Sequence, residues 1–135
     1  MSTTERTRRL IETAVAGAID SLHRVDPAAP ADAIGHLQEA VRNAELALNE
    51  ALAAGVVTEG LSMRQAAAAS GLAPNTLPAR LAATSLLGHY QGPDRRVRAE
   101  GIARARHDIR AARPVREEAA GNDDEPIPPE HQEEP

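Results

Sequence analysis

The chain has no cysteine, no phenylalanine, no tryptophan and a single tyrosine in 135 residues. Without cysteine it has no disulfide, no thiol nucleophile and no cysteine-ligated zinc site. One aromatic ring also argues against stacking on single-stranded bases, because such sites use several rings. The core must therefore be built from Leu, Ile, Val and Ala. This composition, with few β-branched residues, favours an all-α fold.

Long apolar runs are also absent, since no stretch approaches the roughly 20 residues of a membrane span. The N-terminus MSTTERTRRL lacks the apolar region of a signal peptide. We therefore expect a cytoplasmic protein with no membrane partner. The five histidines show no metal-ligand spacing, and there is no P-loop, G-x-G-x-x-G or G-x-S-x-G motif. We expect no catalytic residue, no metal, no cofactor and hence no enzyme.

Lysine is missing as well, and the fifteen arginines are unevenly distributed. Residues 1–59 carry five Arg against nine acids, a net charge of −4, whereas residues 60–116 carry ten Arg against three acids, a net charge of +7. Such a basic block can face a polyanion although the whole chain carries −5. Residues 117–135 carry −8 and are rich in Pro, so we expect a disordered acidic tail.

The first 54 residues are predicted to form a helical hairpin. A capping box at Ser2 starts one helix near Thr3, and a second helix should run over residues 31–54 until Gly55 ends it. Apolar residues recur at three- and four-residue steps: Ile11, Val15, Ala18, Leu22 and Val25, then Ile34, Leu37, Val41, Ala44, Leu48 and Ala51. These stripes predict either core packing within the hairpin or the seam of a homodimer.

The stretch SMRQAAAASGLAPNTLPARL, residues 62–81, contains two short helical segments around a turn. An S-x-x-Q capping box starts a helix at Met63, and Gly71 falls where a left-handed residue closes it. The small side chain of Ala67, four residues earlier, lets two helices approach closely. With apolar Leu72 and Leu77 following, this stretch resembles the helix-turn-helix of bacterial DNA-binding proteins. NTLPARL is also similar to the recognition helices of some bacterial regulators.

The resemblance implies that a recognition helix from about Pro74 to Thr84 enters the major groove of DNA. Its leading residues would face the base edges, and of these Asn75 and Thr76 can form hydrogen bonds, with Ala79 beside them. Arg64 and Arg80 flank the turn and suit contacts with phosphates.

Pro78 departs from the family pattern, because proline is tolerated in the first turn of a helix but costs about 3 kcal/mol deeper inside. A helix capped by Asn75 would place Pro78 third and remove the conflict. We therefore favour that shorter start.

Arginines crowd the segment that follows, and residues 94–116 are expected to be an Arg-rich helix or arm. Arg95, Arg96 and Arg98 would contact the DNA backbone beside the recognition helix. The predicted order is thus a hairpin (1–54), a helix-turn-helix (55–93), the basic segment and the acidic tail. The expected function is a small transcriptional regulator that binds double-stranded DNA as a homodimer. The alternative is a non-catalytic helical adaptor that binds another protein through the same surface.

Overall fold

The described residues form five α-helices and one 3-10 turn. The computed structural model describes the backbone of residues 2–124 and the side chains of residues 2–112, and this part contains no strand. The helices are α1 (Thr3–His23), α2 (Pro30–Thr58), α3 (Met63–Ser70), α4 (Leu77–Ala82) and α5 (Ala99–Asp124), with the 3-10 turn at Gly88–Tyr90. The predicted all-α fold class is confirmed.

Helices α1 and α2 pack along their lengths as an antiparallel hairpin, since residues 24–29 connect them directly. The predicted start of α1 is confirmed, because Ser2 Oγ accepts the Glu5 N–H at 3.1 Å. The second helix begins at Pro30, whose missing N–H costs nothing in a first turn.

Small side chains form the seam of this hairpin. Both helices bury residues at steps of seven: Thr7, Ala14 and Ser21 on α1, and Ala33, Ala40 and Ala47 on α2. The predicted stripes of larger residues are not this seam, and most of their members are exposed. The physical reason is that small side chains let two helix axes approach more closely than Leu or Ile would.

The second helix continues beyond Gly55, so the boundary predicted between residues 54 and 55 is wrong. Gly55 is buried inside α2, where an added Cβ would lie 2.8 Å from Leu61 Cδ1. Gly55 thus allows Leu61 to pack closely against α2 and does not end the helix. Val56 and Val57 bury their side chains in the next turn, which favours the helical continuation, and Gly60 turns the chain at φ 76°.

The main core lies around the last turns of α2. It joins that helix to α3, α4, the segment after α4 and the first half of α5. Its buried members are Leu52, Ala53, Val56, Val57, Ala66, Ala67, Leu77, Leu81, Ala82, Leu86, Leu87, Val97, Ile102 and Ala105. The hairpin and the candidate helix-turn-helix therefore share one element, because α2 contributes to both.

The last helix starts later and ends later than the predicted basic segment. Residues 94–98 precede it as a loop, and Gly101 lets it pass under Tyr90, whose carbonyl oxygen would be 2.6 Å from an added Cβ. The helix is described as far as Asp124, past the predicted start of the acidic tail at residue 117. Residues 125–135 of that tail lie outside the described residues.

We expect Ala14→Leu to destabilise the protein by about 1–3 kcal/mol, because the larger side chain would force the seam of the hairpin apart. Thermal and urea unfolding followed by circular dichroism measure this loss. Ala16→Leu is the matched control, since Ala16 is exposed on the same helix. Equal effects of the two substitutions would contradict a tightly packed seam.

Candidate nucleic-acid interface

The first helix of the candidate motif forms as its sequence predicts. Ser62 Oγ accepts the Gln65 N–H at 3.0 Å, and Gln65 Oε1 accepts the Ser62 N–H at 2.9 Å. Helix α3 begins at Met63, and Gly71 has the left-handed φ of 72°. The capping box, the start of the helix and the conformation of the glycine are all confirmed, because each depends on residues within one turn.

Contacts of α3 and α4 differ from the predicted close crossing of the two helices. Both helices pack on the end of α2 and share more contact with it than with each other. Ala67 is buried in the common core together with Leu77 and Leu81. The small side chain of Ala67 therefore contributes to packing against α2, and not to a close crossing of α3 and α4.

Helix α4 is shorter than predicted at its N-terminal side. It begins at Leu77 with Thr76 at the capping position, so the predictions of a start at Pro74 and of Asn75 as the cap are wrong. A turn closed by the Thr76 N–H and the Ala73 carbonyl oxygen, 3.0 Å apart, precedes it. Pro78 is the second residue of α4, where it removes no helical hydrogen bond.

One edge of this segment faces solvent. Asn75, Thr76 and Ala79 are exposed, whereas Leu77 and Leu81 on the other side are 0% exposed. Among the described residues, neither the Asn75 amide nor the Thr76 hydroxyl has a side-chain hydrogen-bond partner. We call these three exposed residues the polar edge; its two hydrogen-bonding side chains are free to contact another molecule.

A loop of the basic segment is fastened beside the polar edge. The fully buried Val97 anchors it, and the Val97 N–H donates to the Pro78 carbonyl oxygen at 3.0 Å. The Arg96 guanidinium donates to the Asn75 carbonyl oxygen. These contacts bring Arg95 and Arg96, predicted from the charge distribution alone, next to residues 75–79. The anchoring role of Val97 was not predicted, since one valine gives no local signal.

Arg95 is exposed at the tip of this loop and has a φ of 61°, unusual for a residue with a side chain. The Gly92 carbonyl oxygen accepts the Arg95 N–H at 3.0 Å, and the Gly92 N–H donates to the Arg96 carbonyl oxygen at 2.9 Å. The tight turn thus holds a cationic side chain outward at a conformational cost. Such strained positions are concentrated at functional sites.

Two other predicted contact residues pair with neighbouring groups. Arg80 is half-buried and turns toward α2, where its guanidinium lies 3.4 Å from Glu45 and donates to Asn49 Oδ1 at 3.3 Å. Arg98 lies 2.7 Å from Asp94, and this hydrogen bond lowers the pKa of the Asp94 carboxyl group. Arg80 and Arg98 are therefore less available than Arg95 for contact with another molecule.

Arg64, also predicted to contact phosphates, is exposed at the start of α3. It forms no ion pair with the described residues, so its charge is available.

A buried carboxylate that sequence reasoning missed connects the hairpin to the segment after α4. Glu50 is 5% exposed and accepts hydrogen bonds from the Ser85 N–H at 3.1 Å and the Ser85 hydroxyl at 2.7 Å. The Ser85 and Thr7 hydroxyl oxygens are 3.0 Å apart. This chain of contacts joins α1, α2 and the segment that follows α4, and so helps to fix the polar edge relative to the hairpin.

Part of the arginine cluster has a structural role. Arg106 donates to the Val56 carbonyl oxygen from Nε at 3.0 Å and from Nη2 at 2.8 Å, and to the Leu61 carbonyl oxygen at 3.1 Å. It thereby satisfies carbonyl groups at the end of α2. Arg104 lies 5.8 Å from the centre of the Tyr90 ring. The density of arginine therefore overstates the charge that is free to face a ligand.

Comparison of the chain with protein-family models, with curated proteins and with solved structures found no match. Among residues 2–124, no helix combines the length and the apolar character needed to cross a membrane. The described residues also hold no cluster of three or more His, Asp or Glu side chains arranged for a metal ion.

We expect Glu50→Ala to lower the free energy of unfolding by about 1.5–3 kcal/mol, because it removes a charged acceptor and leaves the Ser85 N–H without a partner. Chemical denaturation measures the change. Glu45→Ala on the same helix removes one exposed ion pair and should have little effect. A stability unchanged by Glu50→Ala would show that this contact does not connect the two parts of the fold.

Proposed function

We propose that this protein binds double-stranded DNA in a sequence-dependent manner and acts as a transcriptional regulator. The polar edge would face the major groove while Arg95 contacts the adjacent phosphates. The observation that carries this proposal is the fastening of the arginine loop to the recognition segment, through Arg96 to Asn75 and Val97 to Pro78. Sequence-dependent binding requires a group that contacts the base edges and a group that contacts the phosphate backbone of DNA. The polar edge and the arginine held beside it can supply these two contacts.

Recognition of bases would depend on few groups. The Asn75 amide can form a bidentate pair with adenine, and the Thr76 side chain can offer its methyl group to thymine or its hydroxyl to either base. Ala79 leaves room for a close approach of the groove. Because these groups are few, phosphate contacts would supply most of the affinity and base contacts a modest discrimination.

The arginines would contribute unequally to phosphate binding. Arg64 and Arg95 are exposed without an ion pair among the described residues, so they can neutralise phosphates directly. Arg80 and Arg98 must first exchange a carboxylate partner. Ion pairs at the protein surface contribute about 0–1 kcal/mol, so exchanging the carboxylate for a phosphate is feasible but reduces the gain in binding free energy.

We expect the protein to retard a duplex fragment at 50 mM salt and to lose affinity steeply at 200 mM, because each phosphate contact releases counterions. Arg64→Ala and Arg95→Ala should weaken binding to all sequences alike and reduce the salt slope by about one each. The matched control is Arg24→Ala, which removes the same charge at the far end of α1, about 25 Å along that helix from Thr7.

Fluorescence anisotropy with a labelled random duplex provides the measurement. Absence of binding at 50 mM salt would contradict the proposal, and so would an equal loss of affinity in Arg24→Ala.

Asn75→Ala should relax sequence preference more than it lowers affinity for random duplex. Loss of a bidentate base contact costs on the order of 1–3 kcal/mol at the preferred base pair. Selection of bound fragments from a random duplex pool gives the preferred sequence, and anisotropy then compares that duplex with a scrambled one. An unchanged ratio of the two affinities in Asn75→Ala would mean that the polar edge does not read bases.

A further inference from the structure

The hairpin leaves a large apolar face in solvent. Eight large aliphatic side chains of the described residues are notably exposed, and seven of them belong to this face: Val15, Ile19 and Leu22 on α1, with Ile34, Leu37, Val41 and Leu48 on α2. We call these seven residues the hairpin face. Exposed apolar patches of several hundred square ångström often mark sites of association.

The seven side chains share one side because of their position relative to the seam. Val15 and Leu22 each follow a seam residue by one position, as do Ile34, Val41 and Leu48. One residue turns a helix by about 100°. Since the two helices are antiparallel and meet through the seam, this rotation brings both sets to the same side of the hairpin.

The pattern of the face is that of a helical bundle. The stripes from Ile11 to Val25 and from Leu37 to Ala51 both repeat at alternating steps of four and three residues, and neither contains a charged member. This spacing, a mean period of 3.5 residues, is typical of helices that pack against further helices in a bundle. A surface meant for water would carry charges at some of these positions.

The sequence after the described helix does not match this face in composition. Residues 125–135, which follow the described helix, contain one large apolar residue, Ile127, among acids and prolines. Two helices about 10 Å wide over about 15 residues give a flat footprint of roughly 450 Å². Two facing footprints sum to roughly 900 Å², which the ridged side chains raise toward the roughly 1,200 Å² at the low end of stable interfaces.

We infer that a second copy of this chain covers the hairpin face, so that two hairpins form a four-helix bundle. The face is charge-free, helical and of dimer size, and a two-fold axis pairs the same patch on both subunits. The seam of small residues would hold α1 and α2 of each hairpin together, while the hairpin face would join the two hairpins. This dimer does not depend on DNA binding, and it would place two polar edges in one particle.

Sedimentation equilibrium of the full chain tests this inference, with a mass twice the 14.3 kDa of one chain as the expected result. Leu37→Arg should give a monomer, because each copy would bury a cation in the bundle. Leu46→Arg is the control, since Leu46 is 45% exposed against 43% for Leu37 but is absent from the face. A monomeric wild-type chain, or equal dissociation of both variants, would overturn the inference.

A milder variant keeps the test valid if Leu37→Arg fails to fold, which circular dichroism would reveal. Val41→Ser should raise the dissociation constant at least about tenfold, because each copy loses buried methyl groups. The melting temperature of the wild type should also rise with protein concentration, and that of a monomer should not. A wild-type monomer that still bound duplex DNA would overturn the dimer and leave the proposed DNA binding intact.

Discussion

The packing of Leu77 and Leu81 onto the last turns of α2 is the contact on which the other features depend. These two side chains are fully buried, and they turn the opposite side of the segment, with Asn75, Thr76 and Ala79, toward solvent. Burying two leucines contributes several kcal/mol, far more than any surface hydrogen bond nearby. The orientation of the polar edge is therefore a consequence of core packing.

Helix α2 connects this core to the hairpin without interruption. Its first part contributes small residues to the seam with α1, and its last turns hold the candidate motif. Gly55 makes this double use feasible, because a side chain there would collide with Leu61. One continuous helix thus sets the position of the hairpin face relative to the polar edge. A dimer formed through the hairpin face would therefore fix the distance between its two polar edges.

The arginines of residues 60–112, whose side chains are described, include two groups that differ in their partners. Arg106 binds backbone carbonyl groups of the protein, and Arg80 is occupied by Glu45 and Asn49. Arg64 and Arg95 remain exposed, and the latter is held outward by a strained turn. The net charge of a segment thus gives the excess of its cations over its anions. The hydrogen bonds within the protein decide which of these cations can contact an anionic ligand.

The sequence by itself determined the features that depend on neighbouring residues: the all-α class, the serine caps at Ser2 and Ser62, and the left-handed Gly71. Tertiary structure decided which side of each hairpin helix forms the seam, how far α2 continues beyond Gly55, and where α4 begins. It also brought Val97 to Pro78 and Arg96 to Asn75. The physical reason is range, because capping is settled within one turn, whereas these outcomes depend on packing between residues distant in the chain.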